Sequence, residues 1–266
     1  MGFSGSDRFV VVALPPLRGS PVIAPGLVRM LQSGQAVLVS PTVDRVRRAL
    51  SSVESAALSG LAAAVLSTLA VYLLGRQPGV SSSSDDLRWY ADSGNRFTVF
   101  LGLNLAAVGV VAFLWFMAVI RRRLGDREDQ LFATVFLGSG IGFGLLTMTA
   151  AVCAAAPTFV VHFGDGGSLD ESTVDLAHGL WFGLWGVSAS RLAGVFMAAT
   201  STIGMRFGVL PNWLSRLGLV LGALLGVTGA FAGPLDFLFG AWLAIVSLTL
   251  LFSQRRRREA PVESAR

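Results

Sequence analysis

Uncharged apolar runs of about 20 residues, each bounded by charged residues or helix breakers, recur along the chain from residue 55 onwards. A run of this length is what an α-helix needs to cross the hydrocarbon core of a bilayer. Six such runs predict an all-α fold, a polytopic transmembrane bundle of six helices. The predicted spans cover residues of about 55–75, 97–120, 131–156, 176–205, 217–233 and 237–253.

Helix breakers indicate where two of these spans end. Pro157 has no backbone N–H and is poorly tolerated inside a helix, so we expect the third span to end before it. Gly233, Pro234 and Leu235 predict a tight turn. The fifth and sixth spans would therefore form a hairpin.

The two longer loops carry signals of helix ends. Serines at 81–84 followed by acidic residues, with Gly94 further on, outline a short helix between the first two spans. Ser168 and Glu171 have the spacing of a capping box. We expect the second half of that loop to run directly into the fourth span.

The arginines are distributed unequally between the two ends of the predicted spans. If the N-terminus is cytoplasmic, thirteen arginines flank the inner ends, and only Arg76, Arg88 and Arg96 lie in outer loops. Cytoplasmic loops of membrane proteins carry such an excess of positive charge, so we predict that both termini are cytoplasmic. Residues 1–50 are then a weakly ordered cytoplasmic N-terminal tail, and residues 255–266 a basic cytoplasmic C-terminal tail.

Composition agrees with a membrane environment and excludes several functions. Apolar residues make up 53% of the 266 positions and charged residues only 14%, against roughly 25% charge in soluble domains. All 21 basic residues are arginine, which excludes any chemistry that needs a lysine. Because the net charge of +5 is accounted for by span-flanking arginines, we predict no nucleic-acid partner. Arginine without lysine suggests a GC-rich bacterial genome and hence the cytoplasmic (inner) membrane.

Glycine spacing indicates how the predicted helices would pack. Helices in lipid associate by close backbone approach, which favours small residues at four-residue intervals. Gly218, Gly222 and Gly226 form such a repeat in the fifth span, and Gly138 and Gly142 form another in the third. We predict that these five glycines lie at helix interfaces. The third-span run resembles a phosphate-binding loop only in its glycines, because it has no lysine and follows no strand.

Arg191 is the charged residue most deeply placed inside a predicted span. It lies 15 residues from Arg206 at the inner boundary, or about 22 Å along a helix, in the outer third of a core about 30 Å thick. Asn104 and Asp236 reach a comparable depth. The hypothesis is a polar cluster of Arg191, Asn104 and Asp236, which either holds helix register or lines a substrate or ion pathway. A lone arginine that extends to the interface is the third interpretation.

The sequence offers little for catalysis or metal binding. His162 and His178 lie in or beside an acidic outer loop, but their spacing matches no zinc or calcium motif. The spans contain only asparagine, threonine, serine, Cys153 and Arg191 as reactive groups. We therefore predict no metal and no cofactor, and the inventory argues against an enzyme.

One segment resembles a known group of proteins. Residues 113–140 join an aromatic-rich span end, a basic R-x-R-L-G loop, an acidic Glu128–Asp129 pair and the helix start FATVFLGSG. This arrangement resembles uncharacterised multi-pass membrane proteins common in actinobacteria. The resemblance implies an integral membrane protein without an assigned activity. The charged loop from Arg121 to Asp129 is a candidate docking site for a membrane or cytoplasmic protein.

Two functions follow from these patterns. The first is an integral membrane protein with a structural or partner-binding role, embedded in the lipid bilayer. The alternative is a transporter or permease-like protein with a small-solute or ion pathway near Arg191, in which two sets of three spans would form inverted repeats.

Overall fold

The structure, a computed structural model, describes residues 53–78, 84–124, 130–164, 169–208, 210–229 and 237–259. No strand occurs in these ranges, so the predicted all-α fold is confirmed. A π-helical segment, Phe182–Ala189, joins two of the helices without a break. The helices are α1 (Val53–Leu74), α2 (Ser84–Ala91), α3 (Ser93–Leu124), α4 (Gln130–Phe163), α5 (Glu171–Trp181), α6 (Ser190–Phe207), α7 (Asn212–Thr228) and α8 (Leu238–Glu259).

Four of the described helices are long and apolar enough to cross a membrane. The fourth of them is the continuous rod of α5, the π segment and α6. Two further apolar helices, α7 and the first part of α8, are shorter. The 17 residues of α7 extend about 26 Å, somewhat less than a hydrocarbon core of about 30 Å. The four long stretches are Ser55–Leu74, Ser93–Arg121, Ala133–Phe163 and Glu171–Phe207.

The helices pack pairwise around an aromatic centre. The most extensive pairs are α1 with α3, α6 with α7, and α1 with α8, while α4 contacts both α3 and α6. The ring of Phe239 lies 4.5 Å from that of Phe143 and 5.7 Å from that of Phe113, between centroids. The buried aromatic side chains of this centre are Phe113, Phe116, Phe136, Phe143, Phe196, Phe239 and Trp242.

The outer surfaces of the helices are apolar. Val111 and Leu145 are each 64% exposed, and Val227 is 80% exposed. They belong to three different helices, so the exposed apolar surface is not confined to one patch. A soluble monomer rarely exposes so much contiguous apolar surface, whereas a lipid-facing helix does so by necessity.

The prediction that Pro157 ends the third span is wrong. Helix α4 continues through Pro157 to Phe163. The proline removes one backbone hydrogen bond, and its side chain is buried. Helix interiors in membrane proteins tolerate proline.

The short helix α2 does not end at the glycine that the sequence predicted. α2 ends at Ala91, and Gly94 lies inside α3, so the prediction for Gly94 is wrong. Instead, Nη1 of Arg96 donates hydrogen bonds to the carbonyl oxygens of Tyr90 (3.3 Å) and Ala91 (2.6 Å). An arginine at the start of the next helix therefore satisfies the last carbonyls of α2.

Asp170 begins the long rod of α5, the π segment and α6. Its Oδ1 accepts a hydrogen bond from the backbone N–H of Thr173 at 2.9 Å, and the Ser172 hydroxyl donates to Oδ2 at 3.0 Å. Hydrogen bonds from Thr173 and Ser172 lower the pKa of the Asp170 carboxyl below its ordinary value of 3.8. The cap predicted at Ser168 lies outside the described residues.

Other predicted features also lie outside the described residues. They are the tail of residues 1–50, most of the loop at 125–129 and the turn at 233–235. α8 continues to Glu259, so the predicted C-terminal tail of residues 255–266 begins as helix.

Candidate functional site

The π segment, Phe182–Ala189, lies in the first half of the long rod Glu171–Phe207. At its end, the backbone N–H of Ser190 bonds to the carbonyl oxygen of Trp185, five residues back instead of four. The segment reads FGLWGVSA, in which two glycines provide no side-chain bulk. π segments inside α-helices are rare and occur frequently at functional sites.

Side chains supply hydrogen bonds to three carbonyls of the π segment. The Ser188 hydroxyl donates to the carbonyl oxygen of Gly183 at 3.0 Å. The Ser190 hydroxyl donates to that of Gly186 at 2.6 Å. Nη1 of Arg191 donates to that of Val187, also at 2.6 Å. Polar side chains thus compensate locally for irregular backbone pairing.

The Arg191 guanidinium also lies at the C-terminal end of α7. A methyl group built on Gly229, the residue after α7, would lie 3.4 Å from Nη1 of Arg191 and 3.5 Å from the Ser190 hydroxyl. The last carbonyls of a helix carry partial negative charge, which attracts a cation. Arg191 is half-buried, and no ion pair joins it to a carboxylate among the described residues. Its neighbours are therefore backbone groups of the π segment and of α7.

The hydrogen bonds of Asn104 and Arg191 go to different backbone carbonyls, each within its own helix. Asn104 is exposed, and its Nδ2 donates to the carbonyl oxygen of Phe100, one turn earlier in α3, at 2.8 Å. Arg191 likewise bonds within its own helix. Asp236, the third member of the predicted cluster, lies outside the described residues.

Two of the predicted glycines form a direct backbone contact between α6 and α7. A methyl group built on Gly222 would lie 2.6 Å from the carbonyl oxygen of Gly194. One built on Gly194 would lie 2.5 Å from the carbonyl oxygen of Gly222 and 2.7 Å from the backbone nitrogen of Gly226. We call this contact the α6–α7 seam. Such reciprocal closeness brings Cα hydrogens toward carbonyl oxygens.

The sequence analysis missed Gly194, the residue of α6 that completes this contact. Ser190, Gly194 and Ala198 recur at four-residue intervals, the same signal that identified the repeat in α7. In this part of the sequence the charge of Arg191 predicted a polar site, whereas the small residues around it predicted the helix contact.

The other predicted packing glycines differ from one another. A methyl group on Gly218 would overlap the Ser201 hydroxyl and lie 2.7 Å from Nε1 of Trp242. One on Gly142 would lie 2.7 Å from Cδ1 of Leu192. One on Gly138 would have no described atom within 4 Å, and this residue is exposed. Gly138 therefore lies on an open face of α4, although the pattern predicted an interface.

Neither histidine has a ligand-like setting in the part of the chain that the structure describes. His162 is exposed and its ring lies 5.2 Å from that of Phe100, between centroids. Among the described residues, no three histidine, cysteine or carboxylate side chains are grouped so that they could hold a metal ion.

Searches against protein family models, curated proteins and solved structures found no match to this chain. The resemblance of residues 113–140 to actinobacterial membrane proteins therefore stays a prediction. Functional inference rests on the geometry alone.

Proposed function

We propose that this chain is an integral protein of the bacterial cytoplasmic membrane that crosses it six times, with both termini in the cytoplasm. The supporting observation is that four long helices expose apolar side chains such as Val111 and Leu145. The shorter α7 and α8 would form the fifth and sixth spans. Thirteen arginines at the inner ends against three outside support the orientation.

The proposed role is structural or partner-binding. Arg191, the residue best suited to bind a solute, hydrogen-bonds to the backbone of Val187 and lies beside Gly229 at the end of α7. These contacts favour a role in joining two helices over a role in binding cargo. The charged loop from Arg121 to Asp129 is the proposed contact with a membrane or cytoplasmic partner.

Reporter fusions test the topology. Green fluorescent protein fused after Arg266 should fluoresce, and alkaline phosphatase fused there should be inactive. Alkaline phosphatase inserted at Gly166 should be active, because that loop is proposed to be outside. The reverse pattern at either site, or recovery of the protein in a detergent-free soluble extract, would refute the proposal.

Site-specific crosslinking tests the partner role. A photo-activatable residue at Arg127 should yield a discrete crosslinked species in cells. The same residue at Asp92, in the proposed outer region, serves as the matched control and should not yield that species. Identical crosslinking patterns at the two positions would remove the loop as a docking site.

A pathway for a small solute or ion near Arg191 is the second candidate. The observation that favours it is the π segment, whose irregular backbone lies beside the charged side chain. Uptake measurements should compare a deletion strain with one that expresses Arg191→Ala at normal level. If the point variant loses uptake as the deletion does, the pathway is supported; if uptake differs only in the deletion strain, Arg191 has no part in transport.

A further inference from the structure

A small cavity lies where four elements of the bundle meet. Its walls come from α1, α3, α4 and the two tryptophans at the start of the π segment. The cavity offers about 10 Å³ to the centre of a water molecule, and one bound water needs about 10–15 Å³ of such space. The lining residues are Ser67, Ala70, Val71, Leu74, Ala106, Thr147, Ala151, Trp181 and Trp185.

Two hydroxyl groups of the lining residues lack hydrogen-bond partners among the described residues. The Thr147 side chain is only 5% exposed, and its Oγ1 is buried without a partner. Ser67, on α1, is only half-buried, and its hydroxyl makes no hydrogen bond to a described residue. A buried hydroxyl without a partner is unfavourable, and most such groups in proteins are paired with protein or with ordered water.

The arrangement of helices explains why a void remains at this level. α1 and α4, which carry the two hydroxyls, contact each other only slightly, although each packs closely on α3. The indole rings of Trp181 and Trp185 stack at 5.8 Å between centroids with an interplanar angle of 11°. This flat pair closes one side of the junction but does not fill the gap between α1 and α4.

We infer that the cavity binds a single water molecule, which bridges the hydroxyls of Ser67 and Thr147 and so links α1 to α4. The space fits one water molecule, and the two hydroxyls supply the two polar partners that a buried water requires. A bridging water is nearly as favourable enthalpically as a direct hydrogen bond. The water would thus supply a polar link between two helices that barely touch.

A double-mutant cycle on the full chain in detergent tests this inference. Thr147→Val keeps the shape of the side chain and removes the hydroxyl; Ser67→Ala removes the other partner. If water bridges them, each variant should lower the apparent unfolding temperature by about 2–4 °C, and the double variant by little more than the larger single effect. An unchanged or raised unfolding temperature for Thr147→Val would overturn the inference, because replacing an unpaired buried hydroxyl costs no stability. A double variant whose decrease in unfolding temperature equals the sum of the two single decreases would also overturn it.

Thr158 provides a matched control on the same helix. Its Oγ1 is also buried without a partner among the described residues, but it does not line the cavity. Thr158→Val should therefore leave the unfolding temperature unchanged or raise it. A loss equal to that of Thr147→Val would mean that both reflect helix packing, and would overturn the inference.

Hydroxyl-radical footprinting by X-ray radiolysis gives a second measurement, and its first result comes from the unmodified protein. Radicals formed from a bound water oxidise adjacent side chains, and Trp185 is only 8% exposed otherwise. We expect clear oxidation of Trp185 in the unmodified protein and a several-fold decrease in Thr147→Val. Absence of Trp185 oxidation in the unmodified protein would show that the cavity is dry.

Discussion

Two junctions in this bundle are built from small residues, yet one is closed and the other is not. In the α6–α7 seam, the backbones at Gly194 and Gly222 touch, and a single added methyl group would overlap a carbonyl oxygen. At the junction around Thr147, alanines and hydroxyl residues face a pair of tryptophans, and a cavity remains. Small side chains are therefore compatible with both outcomes.

The difference lies in whether two backbones can come together directly. A glycine pair at facing positions lets two straight helices meet along one line of contact. Where several elements meet, the stacked Trp181–Trp185 pair lines one side of the junction, and Ala106 and Ala151 are too small to fill the remaining space. Adding side-chain volume to the α6–α7 seam should therefore destabilise the protein. At the open junction, removing polar groups should destabilise it.

The largest expected effect comes from adding volume to the seam. Gly194→Leu places side-chain atoms where the backbone of Gly222 lies, so the two helices must separate. Overpacking of this kind costs about 1–3 kcal/mol or more, and we expect a loss of at least about 5 °C in unfolding temperature, measured by thermal scanning in detergent. Gly138→Leu, on the open face of α4, should unfold like the unmodified protein. Equal losses would mean that the seam is no tighter than the exposed face.

Next in size is the end of the seam, at Gly229. Its φ of 61° and ψ of −163° belong to a region open almost only to glycine, and an added methyl group would lie 2.9 Å from the carbonyl oxygen of Gly186. Gly229→Ala should destabilise by about 1–3 kcal/mol.

Gly208 separates the conformational cost from the steric one. Its φ of 63° is similar, its ψ of 24° is in the left-handed helical region, and no described atom lies near an added methyl group. Gly208→Asn should be nearly neutral, since asparagine tolerates this conformation, whereas Gly229→Asn should destabilise as alanine does. Denaturation of all three variants checks this; similar behaviour of the two asparagine variants would contradict it.

A third effect concerns the hydrogen bond from Arg191 to the π segment. Arg191→Met keeps the length of the side chain and removes the donor to Val187. A hydrogen bond from a charged group contributes about 1.5–3 kcal/mol, so hydrogen exchange of the amides of the π segment should become roughly tenfold to a hundredfold faster. Asn104→Leu, whose amide bonds within α3, is the control. Unchanged exchange in Arg191→Met would show that this hydrogen bond does not stabilise the π segment.

The smallest effect is expected at Asp170, which caps the rod carrying the tryptophan pair. Because hydrogen bonds lower its pKa in the folded protein, its stabilising contribution is present above pH 3.8 and is lost as the pH falls through the lowered value. Exchange at Thr173 should therefore become faster below that pH. Asp170→Asn keeps a good cap without a titrating group, so the pH dependence should disappear; its persistence would point to another group.

Much of the fold was predictable because lipid leaves few choices for a backbone. Long uncharged runs must be helical to satisfy their own hydrogen bonds, and their charged ends mark the interfaces. The predictions at Pro157 and Gly94 were wrong because they used the helix preferences of soluble proteins. Both residues lie inside helices in the structure.

The candidate site was less predictable. The sequence identified Arg191 as unusual and placed it by counting residues, but it named side chains as partners, whereas the described partners are backbone carbonyls of a π segment. Every residue has the same backbone carbonyl. The sequence therefore does not indicate which carbonyl oxygen will accept a hydrogen bond from the arginine side chain.

From residue types alone come the helical class and the apolar exterior, because these depend on period, length and charge. Only the tertiary structure decides that Gly222 meets Gly194 while Gly138 faces no described atom, and that Thr147 lines a void. The glycine contacts and the void both depend on which helix packs opposite each residue and at which position along the helix axis. Spacing along one chain segment does not contain that information.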